Sequence, residues 1–171
     1  MSTPTQTTQI SLTHRLTIVV VLVSVAVLAP IIGSHQQWIT GPIVNATLFA
    51  SAILLKKKEW LAVATVPSLV ALAVGLLPRQ VGILIPFIIL GNLLLMKAFE
   101  VLKDKSLLGG VVAASFLKYL FLAVASISIA KIFMPKETVM IALKMFTWMQ
   151  FATALAGGVL STLLLKRIIK S

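Results

Sequence analysis

The chain has 171 residues, of which 59% are hydrophobic and only 11% are charged, and its mean hydropathy is +1.08. Because a soluble domain averages about 25% charged residues, this composition excludes a soluble protein and indicates an all-α protein embedded in a membrane. The formal charge of +11 does not indicate nucleic-acid binding, since most of the bases lie in short loops between apolar segments.

Six apolar segments follow a polar N-terminal stretch. Residues 1–15 are predicted to be a disordered tail, and residues 16–171 a domain of six transmembrane helices. The predicted spans are 16–33, 41–55, 60–77, 81–101, 107–133 and 138–165. Pro42 is expected in the first turn of the second span, which is short and could instead begin below the interface or include Trp38–Thr40. Pro67 and Pro86 are expected to kink or interrupt the third and fourth spans.

The bases are divided unequally between the two ends of this predicted bundle. The flanks on one side hold ten of the fifteen Lys and Arg residues, and the flanks on the other side hold three. The ten are Arg15, Lys56, Lys57, Lys58, Lys97, Lys103, Lys105, Lys166, Arg167 and Lys170, and the three are Arg79, Lys131 and Lys136. The positive-inside rule therefore predicts a multi-pass protein of the inner (cytoplasmic) membrane with both termini in the cytoplasm.

Two lysines lie inside the predicted spans. A charge at bilayer depth costs about 2.5–3.5 kcal/mol on insertion scales, so such a residue usually faces the bundle interior at a functional site. Lys144, in the outer half of the sixth span, is the preferred candidate for a ligand contact, although it could also snorkel to the interface. Lys118, near the midplane, is expected to be structural. It would be satisfied by carbonyls, water, a lipid headgroup, a solute or an amide such as Asn45 or Asn92.

The polar and aromatic residues predicted near these lysines suggest an outward-facing pocket for a small solute. A lysine would bind an anionic group, an indole would stack on the solute and amides would orient it. The candidate substrate-binding residues are Lys144, Trp148, Gln150, Trp38, Asn45, Asn92 and Lys118. Plainer interpretations stay open, since Trp38 and Trp148 could be interfacial anchors and the amides could join helices by hydrogen bonds.

Several chemistries are excluded by residues that the sequence lacks. All four acids lie at span ends, which leaves neither a carboxylate pair for acid–base catalysis nor an intramembrane proton relay. Cysteine is absent, and the two histidines cannot build a metal cluster alone. No Walker motif is present, so the chain cannot hydrolyse ATP itself. We therefore expect a protein that is not an enzyme and that holds no metal or cofactor.

The six-span layout, with polar residues after the first span and in the last ones, resembles the substrate-binding S components of energy-coupling-factor (ECF) vitamin transporters. The resemblance implies an outward site near the ends of the last three helices, capped by the loop after the first. It also implies docking on a coupling subunit through small residues of the first helix. The candidates are Ala26, Ala29 and Gly33. The spacing of Ala29 and Gly33 fits the family pattern, whereas that of Ala26 and Ala29 departs from it.

The chain also resembles a group of small six-helix membrane proteins from bacteria with reduced genomes. The matching residues are Gly41-Pro42-Ile43-Val44-Asn45, Pro86-Phe87 with Gly91-Asn92, Leu117-Lys118-Tyr119-Leu120-Phe121-Leu122, and Trp148-Met149-Gln150 with Thr153-Ala154 and Gly157-Gly158. Proteins of this group sometimes carry the label "iron hydrogenase". That label has no chemical support in this sequence, because an iron–sulfur hydrogenase requires thiolate ligands.

The expected function is that of a membrane subunit that binds a small anionic or amphipathic solute from the outer side. It would pass the solute inward only together with partner subunits. The expected partners are the lipid bilayer, the solute and an ECF coupling subunit with its ATPases, and no nucleic acid. The alternative is a structural or assembly subunit whose lysines bind lipid or a partner helix.

Overall fold

The computed structural model describes residues 12–33, 36–75, 77 and 79–166, and this part of the chain contains helices and no β-strand. The helices are α1 (Leu12–Ile32), α2 (Gln37–Leu54), α3 (Lys57–Ala73), α4 (Ile85–Leu102), α5 (Leu107–Phe133), α6 (Lys136–Phe146) and α7 (Trp148–Leu164), with a 3-10 helix at Arg79–Leu84. The predicted all-α class is confirmed for the described residues. Each predicted span corresponds to one helix, except that the fourth begins in the 3-10 helix and continues as α4, and the sixth is divided between α6 and α7.

The first helix begins earlier than the sequence predicts. Leu12 to Arg15 belong to α1, although they lie in the segment predicted to be a tail. Arg15 explains the extension, because its Nε lies 3.5 Å from Glu59 Oε1 at the start of α3. The rest of the predicted tail, residues 1–11, lies outside the described residues, as do the predicted cytoplasmic bases Arg167 and Lys170.

Two prolines show where the second and fourth predicted spans begin as α-helix. α2 begins at Gln37 and so includes Trp38–Thr40, which makes Pro42 the sixth residue of the helix rather than part of its first turn. The fourth predicted span changes from a 3-10 helix to α4 at Ile85, beside Pro86, which is in the first turn of α4. Proline is tolerated there because the first N–H groups of a helix have no intrahelical acceptor. Pro67 lies within α3, as predicted.

The sixth predicted span breaks at Thr147, whose backbone angles of φ −100° and ψ −128° are not helical. The Thr147 hydroxyl donates to the Leu143 carbonyl at 2.5 Å, which terminates α6 with a side-chain hydrogen bond. On one side of the break Phe146 is buried against Leu84 and Leu122. On the other side Trp148 is exposed. The break thus turns α6 against α5 while α7 descends through the bundle.

The turns alternate between two ends of the bundle. At one end α1, α3 and α5 begin and α2, α4 and α7 end; we call it the basic end. Its bases in the described part of the chain are Arg15, Lys56, Lys57, Lys58, Lys97, Lys103, Lys105 and Lys166. Three acids also lie there: Glu59 pairs with Arg15, Glu100 with Lys57 and Lys97, and Asp104 with Lys103. We call the other end the opposite end.

The distribution of side chains is the reverse of that in a water-soluble bundle. Large apolar side chains are exposed on the outside, among them Val20 at 62% and Ile132 at 72%. Polar side chains are buried inside, among them Asn45 and Lys118 at 3% each. Leu12–Ile32, Val81–Leu102 and Leu107–Phe133 are long and apolar enough to cross a membrane. The hydrocarbon core of a membrane around the bundle accounts for both the exposed apolar side chains and the buried polar ones.

Helices α2 and α7 cross at close range, and glycines allow this approach. A Cβ on Gly157 would lie 2.6 Å from the Pro42 carbonyl oxygen and 2.7 Å from both the Ala46 nitrogen and the Asn45 Cβ. A Cβ on Gly41 would lie 2.7 Å from Thr153 Cγ2. Small residues at a helix interface let the backbones approach in this way. The crossing fixes the middle of α2, where Asn45 lies.

Candidate functional site

A cavity of about 180 Å³ lies at the centre of the bundle. All seven α-helices contribute to its wall, as does Leu77, which lies between α3 and the 3-10 helix. It extends from the middle of the helices towards the opposite end, where Pro30, Gln37 and Leu77 lie near helix ends. Below it, towards the basic end, a dry cluster is buried that contains Leu48, Phe49, Leu95, Met96, Phe99 and Ala114. The cavity is therefore closed at the basic end by packed apolar side chains.

Lys118 is the cation of this cavity. It is the twelfth residue of α5, about 16 Å along the helix from Leu107 at 1.5 Å per residue. Its Nζ donates a hydrogen bond of 2.7 Å to Asn45 Oδ1, which joins α5 to α2. An amide such as Asn45 or Asn92 is one of several partners that the sequence allows for Lys118, and Asn45 is the one observed.

The Asn45 amide is held in one orientation by the hydrogen bonds that its nitrogen, Nδ2, donates. Asn45 Nδ2 donates to the Gly41 carbonyl at 2.9 Å and to Thr153 Oγ1 at 3.4 Å. The Thr153 hydroxyl donates in turn to the Met149 carbonyl at 2.8 Å. Because Nδ2 is committed to two acceptors, Oδ1 must face Lys118. A chain of hydrogen bonds from α7 through α2 thus positions the ammonium group on α5.

Asn92 forms the wall of the cavity on the side of α3 and α4. Its Nδ2 donates to the Ala64 carbonyl at 3.1 Å, so the predicted interhelical hydrogen bond is present. Asn92 also lines the cavity. An amide oxygen has two lone pairs and can accept a hydrogen bond from a solute. Gln150, a third predicted amide, also lines the cavity.

The charge of Lys118 has no counterpart among the three acids whose side chains the structure describes. Glu59, Glu100 and Asp104 all pair with bases at the basic end. The described residues also contain no group of three His, Cys, Asp or Glu side chains that could hold a metal ion. A buried ammonium that meets only a neutral amide presents unbalanced positive charge to the cavity, and this favours an anion there.

Lys144 and Trp148 lie outside the cavity, although the sequence favoured Lys144 for the ligand. Lys144 is exposed on α6. It lines an open hollow on the surface together with Met140, Leu143, Thr147 and Trp148. Trp38 is not among the residues that line the cavity. Its ring contacts that of Trp148, with centroids 5.2 Å apart and planes tilted by 56°. Both indoles are more than half exposed, at 53% and 57%, as interfacial anchors would be.

The residues predicted to dock a coupling subunit face the interior. Ala26 and Ala29 are buried in the bundle, and Ala26 lines the central cavity. A Cβ on Gly33 would lie 2.6 Å from Thr40 Cγ2, so Gly33 packs against the start of α2. This face of α1 closes the cavity wall and is covered by the rest of the bundle.

The sequence does not single out every residue of the cavity. Ser68 and Thr40 line it and are buried, and Thr153 holds Asn45. Serine and threonine are too frequent in the apolar segments to identify these positions by composition. The available signal is that Thr153 and Gly157 are four residues apart, which places them on one face of α7.

The chain has no match in three comparisons with known proteins, which covered family models, curated proteins and solved structures.

Proposed function

We propose that this chain is a multi-pass membrane protein that binds a small anionic solute in its central cavity, at Lys118. The proposal rests on one observation: a buried lysine lines a cavity, and none of the acids Glu59, Glu100 and Asp104, whose side chains are described, neutralises it. An isolated buried cation is costly, and an anionic ligand with a charge-assisted hydrogen bond offsets part of that cost.

The assignment of the two lysines is therefore the reverse of the one that the sequence favours. Lys118 takes the solute, and Lys144 is an interfacial residue. Asn45 orients the Lys118 ammonium, and the Asn92 oxygen accepts a hydrogen bond from the solute. The cavity holds one cation, so a single carboxylate or a comparable monoanion is the best match in charge. Apolar wall residues such as Ile88 and Phe146 suit an aliphatic or aromatic portion of the same molecule.

The solute enters from the outer side of the membrane. Bases concentrate at the basic end, so the positive-inside rule places that end in the cytoplasm. The cavity lies towards the opposite end, and the dry cluster around Phe49 and Phe99 separates it from the basic end. We place six spans in the bilayer, with α6 and α7 together forming the last. Passage inward requires a partner, as in the ECF S components that the layout resembles.

A structural role is the alternative, and the bond from Lys118 to Asn45 favours it, because that bond also joins α5 to α2. Native mass spectrometry of the protein in mild detergent separates the two roles. Our proposal predicts that wild-type protein carries one small anion, which dissociates at low collisional activation energy in the spectrometer. Lys118→Met protein is expected to carry no such anion. If wild-type protein carries no such mass, even after incubation with a mixture of small organic acids, the structural role is correct.

A further inference from the structure

A second concave feature lies on the outside of the bundle, and its lining is much more apolar than that of the central cavity. It is a groove of about 310 Å³ between α1 and α7, with α2 as its floor. Leu22 and Val25 line it on α1, and Leu160 and Leu164 on α7. The floor carries the small residues Ala46 and Ala50. The lining is almost entirely apolar, so the groove suits a hydrocarbon occupant.

The dimensions of the groove distinguish between possible occupants. Along α2 it extends from Ile43 to Leu54, about 16 Å at 1.5 Å per residue, which is close to half of a hydrocarbon core of about 30 Å. An acyl chain extends through one leaflet only and so matches a groove of this length, whereas a partner transmembrane helix would span the whole hydrocarbon core.

The groove ends among basic residues. Leu54 and Leu165 line its last part at the basic end. The exposed Lys56 comes two residues after Leu54, and the exposed Lys166 directly follows Leu165. One turn before Leu165 on α7, Ser161 lines the groove. Its Oγ is buried and has no hydrogen-bond partner among the described residues. The groove thus offers an apolar length, then a free hydroxyl, then two cations.

We propose that this groove binds one acyl chain of an anionic glycerophospholipid from the leaflet at the basic end. The order of its features matches the order of groups in that lipid. The acyl chain lies over Ala46 and Ala50, the ester oxygen accepts from Ser161, and the phosphate lies between Lys56 and Lys166. The inference rests on the proposed membrane placement, but it is independent of solute binding at Lys118.

The test uses detergent-purified protein and two lipids with identical palmitoyl and oleoyl chains, phosphatidylglycerol and phosphatidylcholine, at equal concentration. Native mass spectrometry is expected to show one retained phosphatidylglycerol in preference to phosphatidylcholine. In the double variant Lys56→Gln/Lys166→Gln the preference is expected to fall roughly fivefold for each lysine. Lys105→Gln, at the same end but after α4, is the matched control and keeps the preference.

A second pair of variants tests the apolar part of the groove. Ala50→Phe fills the floor and is expected to abolish retention of both lipids, whereas Val112→Phe, on the exposed face of α5, retains them. Equal retention of the two lipids by wild-type protein would overturn the proposal. The proposal would also be overturned if palmitate alone displaced phosphatidylglycerol. The same holds if the chain formed a dimer that excluded phosphatidylglycerol. Recovery of the chain without detergent would instead overturn the membrane placement.

Discussion

Lys118 Nζ and Asn45 Oδ1 are 2.7 Å apart although 73 residues separate them in the sequence. The bond joins the middle of α5 to the middle of α2, at the part of the central cavity nearest the basic end. Asn45 has no freedom to turn away, because its Nδ2 is held by the Gly41 carbonyl and by Thr153. The position of the only described cation in the cavity wall therefore depends on the crossing of α2 and α7.

The first prediction concerns this pair without any ligand. Asn45→Leu removes the acceptor of a buried cation and is expected to lower the free energy of unfolding by about 1.5–3 kcal/mol. Adding Lys118→Met to that variant is expected to restore much of the loss, since no unpaired charge remains. Unfolding in detergent, measured for both single variants and the double variant, gives the coupling energy. Additive effects of the two substitutions would contradict a direct bond.

The second prediction places an acid in the site. Asn45→Asp puts a carboxylate beside the Lys118 ammonium, where it competes with the anion of the solute. Binding of the solute is expected to weaken at least tenfold, which corresponds to about 1.4 kcal/mol or more. Isothermal titration of wild-type and variant protein measures the loss. Gln150→Glu is the comparison variant, because its carboxylate enters the same cavity without replacing the partner of Lys118; a larger loss there would place the anion elsewhere.

The third prediction concerns the α2–α7 crossing. Gly157→Ala adds a methyl group within 2.7 Å of backbone atoms of α2, which cannot move aside as a side chain does. The free energy of unfolding is expected to fall by about 1–3 kcal/mol, and solute binding is expected to weaken with it because Asn45 is displaced. Gly91→Ala is the matched control, since its methyl group meets only Leu122 side-chain atoms, at 3.2 Å or more. Equal losses of stability and of solute binding in both variants would show that the α2–α7 crossing does not position the site.

The fourth prediction is the membrane topology. The concentration of bases at one end predicts that reporter fusions at Gln36 read external and that a fusion at Lys57 reads internal. Fusions after Lys131 and after Lys166 add a test of the last two turns, and we expect external and internal signals respectively. An external signal at Lys57 would overturn the six-span arrangement.

The limits of α5 could be predicted from the sequence to the residue. Charged residues at 103–105 precede the helix and Met134-Pro135 follows it, so both ends are marked locally. The break at Thr147 has no such mark, because neither proline nor glycine is near it. It arises from tertiary packing, which buries Phe146 beside Leu122 and leaves Trp148 at the surface.

This break also explains why the candidate site could be predicted only in part. Sequence distance placed Lys144 and Lys118 in neighbouring spans at different depths, and both could reach a central pocket. The direction in which each lysine points depends on the rotation of its helix. α6 ends at Phe146 and turns Lys144 outward, whereas the long, unbroken α5 keeps Lys118 against α2. Such rotations depend on contacts between helices that a single sequence does not contain.

The central claim is that Lys118, and not Lys144, binds the solute. Its most direct test is the thermal shift that the co-purified anion produces in wild-type protein, Lys118→Met and Lys144→Met. We expect Lys118→Met to lose the shift while its ligand-free melting temperature holds or rises, because an unbalanced buried charge is removed. Lys144→Met is expected to keep the wild-type shift. A shift that survives in Lys118→Met and disappears in Lys144→Met would contradict the account.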